Sequence, residues 1–257
     1  ERNALALAAL LILPMVAQAE SSPFSHADFD AVLERRVDAG GRVDYAGLAK
    51  DRSVLDRYVA QIAATGPKTH PERFPDRNHE LAYYINAYNA LTIAGVVDRW
   101  PIDTVWTPFG TGYSFFVSMK IKVAGRETNL KKLEDDIIRA EYQDPRIHAA
   151  LNCASVGCPV LPRKAFSAEN LDQELEAEMQ KFIGEARNCA VNPSAKTLKL
   201  STIFDWFDED FLAYERRQGT ANPSIIDYVN RFRPDGLKIP RDYAVSYFEY
   251  DKGINGQ

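Results

Sequence analysis

The stretch "NHELAYYINAYNALTIAGVVDRW", residues 78–100, constrains the fold of this chain more than any other. It opens on Asn78, a residue type that caps helices, and is closed by Pro101, which cannot continue one. Apolar residues occupy nearly every side of the helix it would form, so the spacing predicts a long helix running through the core rather than along a surface. Two amides, Asn86 and Asn89, interrupt that surface three residues apart, hence on one face, with Tyr88 beside them. An unsatisfied buried polar group costs about 1–3 kcal/mol, so each amide must find partners. They either tie down the backbone of a neighbouring loop, which is the preferred reading, or face a cleft as binding residues.

Around this helix the remaining pattern reads as α+β: a mostly helical single domain packed on a small, dispersed β-sheet. "HADFDAVLERRVDAG" places Phe29, Val32, Leu33 and Val37 on one helical stripe, and "DRSVLDRYVAQIA" repeats the pattern. "GRVDYAGLAK" reads as a short extended piece between them, and residues 67–77 as a Pro-rich loop. Alternation in "YSFFVSMKIKVAG" predicts one or two strands, and "RIHAALNC" a strand buried on both faces. "NLKKLEDDIIRAEY" should be a helix capped by Asn129. "SAENLDQELEAEMQKFIGEA" should be one capped by Ser167, with a stripe of Leu171, Leu175, Met179 and Phe182. "RNCAVNPSAKTLKLS" reads as a hairpin turning at Asn192-Pro193-Ser194. Two helices, "TIFDWFDEDFLAYERR" and "NPSIIDYVNRF", then precede a last strand near "AVSYFEYD".

Residues 1–19 read as a secretory signal, with an apolar run from Ala4 to Val16 and the small-residue cleavage pattern Ala17-Gln18-Ala19 before Glu20. That run is shorter than the roughly 20 residues that span a bilayer. A periplasmic or secreted domain, residues 20–257, without an integral span after cleavage, is therefore expected. The formal net charge of −5, with no basic block, argues against nucleic acid as a partner. A small molecule or an envelope peptide or protein is the expected partner, with no cofactor.

Of the three cysteines, Cys153 and Cys158 fall in "DPRIHAALNCASVGCPVLP", residues 144–162, and Cys189 lies apart. Cys153 ends the expected strand, a common place for reactive residues. As a nucleophile it would need a base, and His148 is the nearest imidazole. In an extended strand, however, five residues hold the two apart by roughly 16 Å at about 3.3 Å each and turn them to opposite faces. The same objection weighs against a metal site at His148, Cys153 and Cys158, and no metal is expected. A redox pair is a third option, weakened by the C-x4-C spacing that replaces C-x-x-C. A Cys153–Cys158 disulfide would staple the loop, contributing about 2 kcal/mol by chain entropy. A Cys158–Cys189 bridge would instead leave Cys153 free. Two functions stay open: a ligand- or partner-binding domain with a stapled loop, or a thiol-dependent hydrolase or acyl transferase. The second would use Cys153 as nucleophile, Asn152 or the core-helix amides as oxyanion donor and a distant histidine as base.

Charged candidates complete the set. Glu134 and Arg139 lie on a helix whose apolar stripe faces inward, and Arg146 precedes the expected strand, where it would pair a carboxylate or bind an anion. Structural pairing is the preferred reading. The acidic run "FDWFDEDF" lacks the glycine and ligand order of a calcium loop and reads as a solvated helix face.

Together "ELAYYINAYNALTI", "LEDDIIR", "DPRIHAALNCASVGCP", "FDWFDEDF" and "YFEYD" resemble domain of unknown function family 547, from about residue 78 to the C-terminus. The resemblance implies an exported bacterial protein with plant relatives and no established activity. It carries over Asn86, Tyr88, Asn89, Glu134, Arg139, Arg146, His148, Asn152, Cys153 and Cys158. Tyr84 stands where the family often has Trp, and Asp135 where it often has His. A mechanism using that histidine as base would not operate in this chain.

Overall fold

In the computed structural model, which describes residues 22–106 and 114–257, three short helices lead into the core helix. They are α1 (Ala27–Arg36), α2 (Tyr45–Lys50) and α3 (Ser53–Ala64). The stripes of α1 and α3 are buried as their spacing predicts. The extended piece expected at "GRVDYAGLAK" is instead mostly α2, because Asp44 accepts the Gly47 N–H at 2.7 Å and buries Tyr45 and Leu48 behind that cap. The core helix α4 (Arg77–Val97) is buried at every position from Leu81 to Val97. Its cap is Asp76 rather than Asn78: Asp76 Oδ1 accepts the N–H groups of Asn78 at 2.9 Å and His79 at 3.0 Å.

Residues Ser114–Ser118, expected to be extended, form the short helix α5. Phe115 and Met119 both approach the bare backbone of Gly95 on α4, where an added Cβ would lie 2.4 Å from Met119 Sδ. A helical turn brings positions four apart together, whereas a strand would separate them by about 13 Å. The strand signal is realised just beyond, in the hairpin of β1 (Ile121–Val123) and β2 (Arg126–Thr128), whose turn takes positive φ at Ala124 and Gly125. Asn129 then caps α6 (Leu130–Lys132) as expected, accepting the Lys132 N–H at 2.8 Å. The helix widens into a π-helical segment, Leu133–Tyr142, and stops at Gln143, which takes a left-handed conformation at φ 54°.

The strand expected at "RIHAALNC" is absent. Pro145–Ala149 forms a 3-10 turn, with Asp144 accepting the Arg146 N–H at 3.0 Å and Pro145 in the first helical position. The backbone groups a strand would have placed in a ladder are taken by the core helix instead. Asn89 donates to the Ala150 carbonyl at 3.0 Å and accepts the Asn152 N–H at 2.8 Å.

Helix α7 (Leu171–Gly184) buries the expected stripe but starts beyond Ser167, whose N–H and hydroxyl both donate to Glu174 rather than capping. The hairpin of β3 (Cys189–Asn192) and β4 (Thr197–Leu200) forms as the turn residues predict. The long helix expected from residue 202 is broken at Phe207 into α8 (Ile203–Trp206) and α9 (Asp208–Arg217), and α10 (Ile225–Arg231) follows behind a Ser224–Asp227 capping box. The last strand, β5 (Ala244–Tyr247), adds parallel to β4.

The fold is α+β, with two small sheets set among helices. One hydrophobic core is centred on α4 and the N-terminal helices, and a second on α7, β4 and α8–α10; Tyr250 packs against both. Among the described residues, no helix is long and apolar enough to cross a membrane. The signal-like residues 1–19 lie outside the described residues.

Candidate functional site

At the seam between the two cores lies a cavity of about 540 Å³. Tyr88 of α4, Phe116 of α5, Glu134 and Arg139 of the π-helical segment and His148 of the 3-10 turn open onto it, as do Cys153, Cys158, Trp206 of α8, Phe207 and Tyr250. The widened helix contributes directly. Positions five apart diverge on an α-helix but stack where hydrogen bonds run i to i+5, so Glu134 and Arg139 share the cavity wall.

The polar side of the cavity is a chain of ion pairs. Lys131 and Arg139 both bond to Asp135, the latter at 2.8 Å, and Arg139 also grips Asp210 through two nitrogens at 2.7 and 3.1 Å. Asp210 Oδ2 lies 2.8 Å from His148 Nε2. Burial pushes the Asp210 carboxyl up, but the bonds from His148 and Arg139 outweigh it and hold the group well below the usual carboxylate range. It is therefore ionised, which puts the imidazole proton on Nε2 as donor. The His148 ring stacks on Phe207, centroids 4.2 Å apart, and its burial lowers its pKa despite Asp210. Among the described residues Glu134 makes no ion pair, and burial raises its pKa more than Arg139 and Lys131 lower it. Burial, only partly offset by a hydrogen bond from Tyr88, pushes its pKa up to about 7. It is a carboxyl that changes charge near neutrality while facing the cavity.

The opposite side is aromatic. Trp106, Trp206 and Tyr250 form a contiguous cluster, with centroids 5.7 Å apart for the two indoles and 4.7 Å for Trp206 and Tyr250. Behind them runs the loop 153–158. Cys153 and Cys158 lie at disulfide distance, with Cα atoms 6.2 Å apart, and Cys189 is a separate, buried free thiol. The Tyr250 hydroxyl sits 3.0 Å from Cys153 Sγ and 3.1 Å from Cys158 Sγ.

Of the residues singled out from sequence, the cavity gathers Tyr88, Glu134, Arg139, His148, Cys153 and Cys158. Because the strand is replaced by a turn, His148 and Cys153 both open onto one cavity, from its polar and its aromatic side. The rest lie elsewhere. Asn86 donates to the Phe166 carbonyl at 2.8 Å and accepts its N–H at 3.0 Å, and Asn89 ties residues 150 and 152 as above. Asn152 donates to the Pro159 carbonyl at 2.8 Å, its oxygen accepts from Ala154 N–H and Asn255, and it does not line the cavity. Arg146 pairs with Asp144 at 2.7 Å and Asp172 at 2.8 Å, away from the cavity.

Residues 71–183 match the family described as "Protein of unknown function, DUF547". Over that stretch the chain is similar to the DUF547 family. The match spans α4 to most of α7, including Glu134, Arg139, His148 and both cysteines of the loop. No curated protein and no solved structure matches the chain.

Part of the cavity wall therefore comes from beyond the matched DUF547 stretch: Trp206, Phe207 and Tyr250 line it, and Asp210 stands behind it on His148 and Arg139. Sequence reasoning missed these as site residues. Asp210 is not part of a merely solvated face, because it receives both His148 and Arg139. The available signal was its spacing, since Phe207, Asp210 and Phe211 fall at i, i+3 and i+4 on one helical side. Among the described residues, no group of His, Cys, Asp and Glu is placed to hold a metal ion.

Proposed function

We propose that this protein is a ligand-binding domain of the cell envelope whose cleft takes a small organic molecule with a flat apolar face. The observation that carries the reading is the convergence of Trp106, Trp206 and Tyr250 with Glu134 in one cavity of about 540 Å³. Small-molecule sites have this character: volumes of about 300–1,000 Å³, mostly apolar lining and a few placed polar groups. The indole and phenol faces supply area for a planar ring or a sugar face. Glu134 supplies a hydrogen-bond donor below a pH of about 7 and an anionic acceptor above it.

The test is tryptophan fluorescence and thermal-shift screening of planar amines, planar acids and glycosides against the wild type and Trp206→Ala. Trp206 is exposed, at 39%, so its truncation should leave the unfolding temperature nearly unchanged while abolishing the shift that a binding compound causes. Compounds that shift the variant as much as the wild type would place binding elsewhere.

Export belongs to the same proposal. The run Ala4–Val16 with Ala17-Gln18-Ala19 supports it, and a Cys153–Cys158 bond would persist in an oxidising compartment. N-terminal sequencing after expression in a secreting host should find Glu20 as the first residue; an uncleaved leader would overturn this. The thiol-hydrolase reading has weaker support. A nucleophilic cysteine must be a free thiolate, whereas Cys153 is within bonding distance of Cys158, and His148 Nε2 is engaged by Asp210.

A further inference from the structure

We propose that the Cys153–Cys158 disulfide is a thiol–disulfide exchange centre, in which the thiolate of a low-molecular-weight thiol entering the cavity attacks Cys153 Sγ and expels Cys158 Sγ. The proposal rests on the binding reading for access to the cavity and goes beyond it in assigning chemistry to the wall.

The two sulfurs are not equivalent. Both cysteines line the cavity, but Cys153 is partly exposed whereas Cys158 is only 3% exposed. An incoming thiolate therefore meets Cys153. The leaving sulfur is prepared for negative charge: Cys158 Sγ accepts the Cys153 N–H at 3.0 Å and has the Tyr250 hydroxyl at 3.1 Å. Burial holds the Tyr250 phenol above its ordinary range, so it keeps its proton and can donate it in a hydrogen bond. Hydrogen bonds to an ionised acceptor are roughly twice as strong as neutral ones, so these donors favour the expelled thiolate over the intact bridge.

The loop does not need the bond to hold its shape. Val156 N–H donates to the Gly253 carbonyl at 2.8 Å, Gly157 N–H to Asp251 at 2.9 Å, and Asn255 N–H to Ala154 at 3.0 Å. Arg187 clamps the carbonyls of Val156 and Cys158. Gly157 completes the fit, since a Cβ there would lie 2.8 Å from the Tyr250 ring. A bridge closing so short a loop adds little by chain entropy. Opening it leaves both sulfurs where they can close again.

The exchange balances without any further reagent. The first thiolate forms a bond to Cys153 Sγ as the Cys153–Cys158 bond breaks, and the electron pair stays on Cys158 Sγ. A second thiolate attacks the small-molecule sulfur of that mixed disulfide and releases Cys153. Two thiols become one small disulfide, the protein disulfide becomes a dithiol, and the two thiol protons end on the two cysteines.

The experiment treats the oxidised, folded protein with cysteine or glutathione, quenches with acid, and maps the adduct by mass. The expected result is a mixed disulfide on Cys153 with Cys158 as thiol, formed without denaturant. Resistance of the bridge until the protein is unfolded, or an adduct on Cys158, would overturn the proposal. Tyr250→Phe should slow adduct formation by roughly tenfold or more, the worth of one hydrogen bond to a charged group, and an unchanged rate would remove Tyr250 from the step. Cys158→Ser should trap a stable adduct on Cys153 from oxidised glutathione; the wild-type arm stands if that variant does not fold. S-Methylglutathione cannot exchange, so its quenching of tryptophan fluorescence reports occupancy alone. Quenching without exchange by glutathione would remove this inference and leave the binding reading intact.

Discussion

Asn89 and Tyr88 are neighbours on α4 with opposite uses. The Asn89 amide gives its donor to Ala150 and its acceptor to Asn152, and Asn86, one turn earlier, does the same for both backbone groups of Phe166. These side chains replace secondary structure: they satisfy backbone that would otherwise be buried without partners. Tyr88 points the other way, to the Glu134 carboxyl, which opens on the cavity and changes charge near neutrality. A buried polar group whose bonding capacity is taken up by backbone maintains the fold. One held off its ordinary ionisation beside a cavity retains capacity for something that enters.

The largest expected effect tests the first half of that contrast. Asn89→Ala would leave the Ala150 carbonyl and the Asn152 N–H buried without partners, and each costs about 1–3 kcal/mol, so a loss of about 2–5 kcal/mol is expected from denaturant titration. Asn86→Ala should cost about the same through Phe166. If either variant loses less than ~1 kcal/mol yet fails to bind a cleft ligand, the sorting of these amides is wrong.

Much of the scaffold was legible because its determinants are local. The stripes of α1, α3 and α7, the Asn129 cap and the Asn192-Pro193-Ser194 turn act within a few residues of themselves. The segment "RIHAALNC" misled because its apolar run is buried for a tertiary reason. Asn89 takes its backbone groups and makes a ladder unnecessary, a partnership across about sixty positions that no window reveals. The cavity was half legible. Glu134, His148 and Cys153 stand out by residue type, whereas Trp206, Phe207 and Tyr250 come from segments that read as ordinary amphipathic or terminal pieces. The π-helical widening that aligns Glu134 with Arg139 has no signature in hydrophobic periodicity.

An intermediate effect is expected at Asp210, which holds two cavity residues, His148 and Arg139, in place. Its carboxyl is depressed in the folded protein, so it contributes stability that is present above the ordinary carboxylate pKa and is lost as pH falls through the depressed value. Asp210→Asn should cost about 1–3 kcal/mol at neutral pH, discounted for partial exposure, by removing the anion that holds both Arg139 and His148. Equal stability of variant and wild type at neutral pH would show that the ion chain adds nothing to the fold.

Glu134 carries the opposite sign. Its pKa is raised to about 7, so the folded state holds the proton more tightly than the unfolded state, and its contribution falls as pH climbs from the ordinary carboxylate range toward about 7. Glu134→Gln should flatten that decline, a change of about 1–2 kcal/mol across the window once the water-facing side of the carboxyl is allowed for. Ligand affinity should lose its pH dependence in the same window. A variant that keeps the wild-type pH profile in both stability and binding would assign the titration to another group.

Arg146 gives the smallest expected effect on binding and the sharpest control. Like Arg139 it is an arginine gripping carboxylates, but its partners Asp144, Asp172 and Glu176 lie outside the cavity. Its pair with Asp144 is largely buried, whereas Asp172 is 80% exposed and adds little. Arg146→Met should therefore cost about 1–3 kcal/mol in a denaturant titration, mostly through Asp144, and leave cleft binding unchanged. Arg139→Met removes a cation whose guanidinium lies 4.7 Å from the Phe207 ring and whose bonds hold Asp135 and Asp210 in place at the cavity wall. It should weaken binding even where stability changes little. If Arg146→Met weakened binding as much as Arg139→Met, the two arginines would not differ in role, and distance from the cavity would be a poor guide to function in this fold.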